Sequence, residues 1–282
     1  MEKLIKQEFV GERALYNKHN LMIEESLFHD GESPLKECSN IEVKNSTFSW
    51  KYPMWYSKDI KVLNSVLDIN ARSGIWYTSN ISIIDSIIDA PKTFRRSENI
   101  TVLNSNFNNA QETLWTCKNV KITDSYAKGD YFLMNSSDIE LNNFKIDGNY
   151  IFDGAKNIVV KDSYLNSKDS FWNTKNVKVY NTTIIGEYIG WNSENMYFEN
   201  CTIDSIQAFC YIKGLTLKNC ILKNTNLSFE FVEDIDAKIL SEIESVKNPI
   251  SGKIEAYKIN ELILDEALID KSKTIIKETK NV

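Results

Sequence analysis

Acidic side chains at similar positions of a repeated pattern are the first residues of this sequence that could do chemistry. They are Glu112, Asp130, Asp153 and Asp169. Convergent carboxylates could act as general acid and base in the hydrolysis of a glycosidic bond. A lyase would instead use Arg95 or Lys92 as the base beside a bound Ca²⁺. The expected catalytic set is Glu112, Asp130, Arg95 and Asp169, and the alternative that these are solvated turn charges stays open.

Tryptophan recurs beside these charges, and five of the six tryptophans lie four residues before an Asn or Asp. A core does not need tryptophan on an outward face, whereas a sugar-binding face does, because the rings pack on sugar C–H groups. Neighbouring charges would select uronates or phosphates. We therefore expect an oligosaccharide or a small sugar-derived anion to bind this face. The expected binding residues are Trp55, Trp76, Arg72, Lys92, Trp115, Asp153, Trp172 and Trp191.

A second interpretation makes the tryptophan face an interface with a protein partner or a second copy of the chain. Aromatic residues are enriched in such interfaces, so the same pattern fits a noncatalytic scaffold. Leu63, Ile84 and Leu103 form another small apolar set that is more typical of an oligomer contact.

The elements that position these residues follow from an internal repeat of 19 to 21 residues. Each repeat has a marker residue, usually Asn or Asp. The markers are Asn20, Asn40, Asp59, Asn80, Asn99, Asn119, Asp138, Asn157, Asn176, Asn195, Gly214 and Asp234. Apolar residues one and three positions after each marker, with polar residues between them, predict a half-buried strand.

One repeat cannot bury enough apolar surface to fold alone, so the repeats must stack. The sequence predicts an all-β fold, a single-stranded right-handed parallel β-helix (solenoid) of about twelve coils. A second Asn and Asp column, which includes Asn45, Asn64 and Asp85, is expected to form a hydrogen-bonded ladder at a tight turn. Cys201 and Cys220 take the inward serine position of successive coils, where free thiols are favoured over a disulfide.

The two ends of the chain depart from the repeat. We expect residues 1–237 to form the solenoid, with residues 1–18 capping its first end. Residues 238–282 are expected to be a capping segment of the same domain. Within this region DAKILSEIESVK predicts a short helix, and ISGKIEAYKINELILDE predicts one or two strands.

Composition narrows the classes of partner. The net charge of −6 argues against nonspecific binding of nucleic acid or of anionic membranes. The N-terminus does not resemble a signal peptide and no run of apolar residues is long enough to span a membrane, so we expect a cytoplasmic protein. The cysteines lack metal-ligand spacing and the two histidines lie in the first coils, so no bound metal or other cofactor is expected apart from the Ca²⁺ of a lyase.

Short strings spread along the chain, including GERALY, KYPMWY, ETLWTC, GDYFLMNS and GEYIGWNS, resemble an uncharacterised bacterial domain-of-unknown-function family of about 280 residues. The repeat itself resembles the pectate-lyase-like superfamily of right-handed parallel β-helices, which act on acidic polysaccharides. That resemblance implies lyase-like or glycoside hydrolase-like chemistry if the protein is an enzyme. No string here reproduces the calcium-binding aspartates or the catalytic arginine of that superfamily, so no residue role is transferred.

Overall fold

The fold, in a computed structural model that describes residues 1–279, is built almost entirely of parallel β-strands. The chain divides into two compact units, Met1–Ile146 and Asp147–Val282. Within residues 1–279 there is no α-helix, and one 3₁₀ turn spans Lys271–Lys273. The prediction of an all-β parallel solenoid is confirmed.

The first unit contains fourteen strands, the last of which ends at the division. They are β1 (Glu2–Ile5), β2 (Glu8–Val10), β3 (His19–Glu24), β4 (Leu27–His29), β5 (Ser39–Lys44), β6 (Thr47–Phe48), β7 (Lys58–Leu63), β8 (Val66–Leu67), β9 (Ser79–Ile84), β10 (Ile87–Ile88), β11 (Glu98–Leu103), β12 (Asn106–Phe107), β13 (Lys118–Lys128) and β14 (Ser137–Asp147). Odd-numbered strands from β1 to β13 pair in parallel, and so do the short strands between them. The register brings Ile60, Ile81 and Ile100 into one buried column.

The second unit repeats this arrangement with ten strands. They are β15 (Lys156–Lys161), β16 (Tyr164–Asn166), β17 (Lys175–Tyr180), β18 (Thr183–Glu187), β19 (Glu194–Glu199), β20 (Thr202–Ile206), β21 (Lys213–Lys223), β22 (Glu233–Lys247), β23 (Gly252–Ile263) and β24 (Thr274–Glu278). Val177, Met196 and Leu215 lie side by side in its core. The long strands β22 to β24 form a cap-like region.

The structure has more coils than the twelve markers predict. Eight coils in the first unit and seven in the second give fifteen in all, counted by their long strands. Residues 1–18 form one of the additional coils, since β1 and β2 pair in register with β3 and β4. β23 and β24 supply the other two. The right-handed sense of the coils and the boundary at residue 237 stay predictions.

The helix predicted for DAKILSEIESVK is wrong, because these residues lie in strand β22. The pairing register shifts between Ile239 and Glu242, which marks a β-bulge. As a result Ile239, Ile243 and Val246 are buried at spacings of four and three residues, the spacing of a helix face.

Asparagine ladders form as expected. Asn64 Nδ2 donates to Asn45 Oδ1 at 2.7 Å, and the marker residues form a second ladder in which Asn99 Nδ2 donates to Asn80 Oδ1 at 2.8 Å. The marker asparagines have φ near +55°, for example 55° at both Asn80 and Asn99, a left-handed conformation that asparagine tolerates better than most residues. In each ladder the asparagines therefore adopt the left-handed backbone that the turn needs, and their side chains hydrogen-bond to one another.

Candidate functional site

Three tryptophans and one arginine of the first unit form a continuous stack along successive coils, which we call the aromatic ladder: Trp55, Trp76, Arg95 and Trp115. The rings of Trp55 and Trp76 stack with centroids 5.1 Å apart and planes 7° apart. The Arg95 guanidinium lies 5.0 Å from the Trp76 centroid and 4.5 Å from that of Trp115, so it sits between the two rings. The ring faces in this ladder are already occupied by neighbours.

The indole N–H groups of the ladder are also engaged. Trp55 donates to the Ser73 carbonyl at 2.7 Å, and Trp76 donates to the Lys92 carbonyl at 3.0 Å. Trp115 donates to the carbonyl of Tyr131 at 2.5 Å. Each acceptor lies in the turn of the following coil, where a side chain satisfies a backbone group that the strands leave unpaired. The ladder thus stabilises the coil stack, and it presents ring edges rather than faces to solvent.

The expected catalytic residues of the first unit are largely paired with each other. Glu112 Oε2 lies 2.6 Å from Arg95 Nη2 and 3.2 Å from Lys92 Nζ. The charge of the Glu112 carboxylate is therefore balanced by two cations within the fold. Asp130 lies in the next coil, where its carbonyl accepts from the Glu112 N–H at 2.9 Å. The structure brings Arg95, Lys92 and Glu112 together as an ion-pair cluster beside the ladder.

The second unit holds the other predicted site residues. The centroids of Trp172 and Trp191 are 6.1 Å apart with planes tilted by 37°, and Trp191 also packs on Tyr211. Trp172 donates its indole N–H to the Tyr188 carbonyl at 2.9 Å, as the tryptophans of the first unit do. Asp153 Oδ1 accepts from Asn173 Nδ2 at 2.8 Å and so begins a ladder.

Asp169, a predicted catalytic residue of the second unit, has a partly buried carboxyl group. Partial burial raises the pKa of its carboxyl above the usual range, and the nearby charge of Glu187 acts in the same direction. A hydrogen bond from Tyr150 opposes this rise. Glu187 itself is paired with Lys168 at 2.9 Å. Asp169 therefore lies in a cluster of mixed charge at a turn.

A groove in the first unit contains a tryptophan that sequence reasoning did not select. The groove has a volume of about 420 Å³, within the range of about 300–1,000 Å³ typical of small-molecule sites. Its lining residues are Trp50, Lys51, Ile69, Asn70, Arg72 and Pro91. Of these, only Arg72 belongs to the predicted binding set.

The groove exists because one coil is two residues longer than its neighbours. The markers Asp59 and Asn80 are 21 residues apart, whereas the markers on either side are spaced by 19. The extra residues, Ile69 and Asn70, project in a turn that Asp68 closes, with its Oδ1 accepting from the Asn70 N–H at 2.8 Å. Ile69 is 55% exposed at the tip of this turn. The spacing in the sequence was the signal that could have located the groove.

Trp50 differs from the tryptophans of the ladder in its contacts. Within residues 1–279 no other ring packs on it and no acceptor binds its indole N–H, while Lys51 Nζ lies 5.6 Å from its centroid. The equivalent positions in the next two coils are Ala71 and Ala90, which are too small to cover the indole. Trp50 is therefore the tryptophan on which no other aromatic ring packs in the described residues.

Arg72 supplies charge to the groove. Its side chain is exposed, and no carboxylate in the described part of the chain pairs with its guanidinium. The neighbouring Lys51 is paired with Glu32 at 3.1 Å. A guanidinium without an acidic partner can bind a carboxylate or phosphate through two parallel hydrogen bonds.

Nowhere in residues 1–279 do three His, Cys, Asp or Glu side chains come together as potential metal ligands. No helical segment in that range has the length and apolar character needed to cross a membrane.

Comparison with solved structures finds other β-solenoid proteins. PfbA, a surface adhesin of Streptococcus pneumoniae, is 12% identical, with a TM-score of 0.48 over 89% of this chain and 85% of that one. The A-module of the mannuronan C-5 epimerase AlgE4 from Azotobacter vinelandii is 9% identical, with a TM-score of 0.36 over 98% and 88%. DFA-IIIase from Arthrobacter chlorophenolicus A6 is also 9% identical, with a TM-score of 0.36 over 94% and 73%. At these values the likenesses carry no argument about function.

No curated protein matches the chain. A family model does match it, over residues 2–277, and that span includes both groups of tryptophans and all the strands described above except the last residue of β24. The chain therefore belongs to the family described as protein of unknown function, DUF3737.

Proposed function

We propose that the protein is a noncatalytic binder of anionic saccharides, and that the ligand lies in the groove between Trp50 and Arg72. The observation that carries this proposal is the contrast among the tryptophans. The ladder tryptophans have their ring faces covered and their N–H groups bound within the fold, whereas in residues 1–279 no aromatic ring packs on Trp50, no acceptor binds its N–H, and Lys51 Nζ alone lies over its ring. A free indole face beside an unpaired guanidinium suits a ligand with both C–H faces and negative charge.

The lining of the groove supports binding rather than catalysis. None of its six residues has a carboxyl, thiol or imidazole group that could act as a general acid, base or nucleophile. Glu112, which was expected to be a catalytic carboxylate, does not line the groove and forms ion pairs with Arg95 and Lys92. The predicted lyase-like or hydrolase-like activity is therefore not part of this proposal.

Isothermal titration calorimetry with trigalacturonate and with glucose 6-phosphate tests the proposal. We expect saturable binding of at least one probe, and Trp50→Ala should weaken it by about tenfold or more because the stacking face is lost. Trp115→Phe is the matched control: it removes an indole N–H bond in the ladder, which costs about 1 kcal/mol of stability, but should leave affinity unchanged. Absence of binding for both probes, or equal affinity in Trp50→Ala, would contradict the proposal.

A second candidate function rests on exposed tyrosines next to the ladder. Tyr56 and Tyr77 are 51% and 37% exposed, and their rings stack at 4.7 Å with planes 2° apart. Lys36 and Arg96 flank the pair, and Arg96 donates to the Tyr77 hydroxyl at 3.1 Å. Tyrosine and arginine are frequent hot-spot residues of protein interfaces. Light scattering of the wild type and of Tyr56→Ala would test this candidate, because a dimer should dissociate in the variant and a monomer would count against it.

A further inference from the structure

The marker ladder of the second unit stops at a glycine. Asn176 Nδ2 donates to Asn157 Oδ1 at 2.9 Å, and Asn195 Nδ2 donates to Asn176 Oδ1 at 3.2 Å. The next marker is Gly214, which has the same left-handed backbone, with φ of 78°, but no side chain to continue the ladder. Of the twelve markers, Gly214 is the one without an Asn or Asp side chain.

The missing side chain opens a pocket. A cavity of about 300 Å³ lies at this position, and four successive markers line it: Asn176, Asn195, Gly214 and Asp234. Lys178, Tyr197 and Thr216 line its other side. A Cβ on Gly214 would lie 3.2 Å from Asn195 Oδ1, a close contact that this side chain can relieve by shifting a few tenths of an ångström, and the nearest backbone atoms are 3.8 Å away. Asparagine also tolerates the left-handed backbone found here. The glycine is therefore not required by packing.

Both ends of the gap offer hydrogen-bond acceptors. Asn195 Oδ1 faces Gly214, and no side chain in residues 1–279 donates to it, unlike the equivalent oxygens of Asn157 and Asn176. On the far side, the Asp234 carboxylate can only accept hydrogen bonds when ionised. A group that fills the gap must donate to both ends, and a negative charge at one end favours a cation.

The remaining wall of the pocket carries a positive charge, in contrast to the acceptors of the marker residues. Lys178 lines it, and no carboxylate in the described part of the chain lies within ion-pair distance of its ammonium. Tyr197 is fixed beside it, with its hydroxyl donating to Glu199 at 2.6 Å and Lys218 over its ring at 5.2 Å. The marker residues therefore give the pocket hydrogen-bond acceptors and a carboxylate, and Lys178 gives it an ammonium without an acidic partner in the described part of the chain.

We propose that this pocket binds a free amino acid. The ligand's ammonium takes the place of the missing asparagine amide and donates to Asn195 Oδ1 and the Asp234 carboxylate, and its carboxylate pairs with Lys178. This site lies in the second unit and is independent of the saccharide groove in the first. Asparagine at position 214 would extend a ladder that stabilises the fold, yet the chain has glycine there. Such a loss of stability is expected where a residue is selected for binding.

Titration calorimetry with the twenty common amino acids, each as the single ligand, tests the proposal. We expect at least one to bind the wild type, and its N-acetyl derivative to lose binding because it cannot present an ammonium. Gly214→Asn should weaken binding by about tenfold or more, since the new side chain fills the gap, without lowering the melting temperature.

Two further variants test the role of the Asp234 charge and provide a control. Asp234→Asn retains the turn but removes the charge, and should weaken binding by about tenfold even if Gly214→Asn does not fold. Trp50→Ala is the control in the first unit and should bind the amino acid as the wild type does. Failure of all twenty amino acids to bind, or unchanged affinity in Gly214→Asn or Asp234→Asn, would overturn the proposal.

Discussion

At the scale of single residues, the same residue type has different roles at different positions. Trp76 has its N–H bound by a carbonyl and its ring faces covered by Trp55 and Arg95, whereas Trp50 leaves its ring open to a groove. Sequence identified the five tryptophans that repeat, because repetition is what a pattern shows. The repeated tryptophans are the structural ones, and the tryptophan outside the pattern is the candidate for binding.

Asp169 gives a prediction about pH. Its carboxyl has a pKa raised mainly by burial, so ionisation is less favourable in the folded state than in the unfolded chain. The stability that this group contributes is present below the ordinary pKa of aspartate and is lost as the pH rises through the raised value. Asp169→Asn removes this loss and can still accept the hydrogen bond from Tyr150.

Melting temperatures of the wild type and Asp169→Asn, measured from acidic to neutral pH, check the point. The variant should be more stable near neutral pH, and the difference should shrink as the pH falls below the ordinary aspartate range. A difference that is constant with pH would mean that the titration of Asp169 does not affect stability.

At the scale of elements, the asparagine ladders have a direction. In each pair the later residue donates its Nδ2 to the oxygen of the earlier one, as Asn99 does to Asn80 and Asn119 does to Asn99. Aspartate cannot donate, so it can begin a ladder but cannot continue one. This explains why Asp59 stands at the first position of the ladder that continues through Asn80.

This direction predicts that exchanging Asn and Asp has opposite outcomes at two positions of one ladder. Asn99→Asp should lower the free energy of unfolding by about 1 kcal/mol, since the bond to Asn80 is lost and two acceptors face each other. Asp59→Asn should be neutral or stabilising, because the new amide can donate to Asn40. Urea denaturation measures both, and equal effects of the two substitutions would contradict the directional account.

Pattern and structure agree where the repeat is regular and differ where an insertion or a bulge interrupts it. The buried column that contains Ile60 and Ile81 could be predicted from the sequence, because the alternation of apolar residues and the positions of the turn asparagines both indicate the same strand register. In β22 a bulge gives Ile239, Ile243 and Val246 a helix-like spacing, so periodicity predicted the wrong element. The direction of a ring, along the stack or out of it, leaves no trace in sequence, so the repeat could not show that Trp76 stacks on Trp55.

At the scale of the whole molecule, each unit has its own candidate site on an otherwise regular scaffold. The coil with Ile69 and Asn70 departs from the repeat by insertion, and the coil with Gly214 departs from it by the loss of a side chain. A regular coil gains stability from every ladder that it continues, so departures mark the places where another requirement acts. The protein carries a net charge of −6, so an anionic ligand in the groove must rely on the local positive charge of Arg72.

The most direct test of the groove is to remove the insertion that makes it. Deletion of Ile69 and Asn70 joins Asp68 to Ala71 and gives the coil the length of its neighbours, so the fold should be retained. Trigalacturonate and glucose 6-phosphate are titrated into the wild type and into this variant, and circular dichroism verifies the fold of each. We expect the wild type to bind at least one of the two and the folded variant to bind neither. Equal binding by the folded variant would show that the ligand lies elsewhere and would contradict the account.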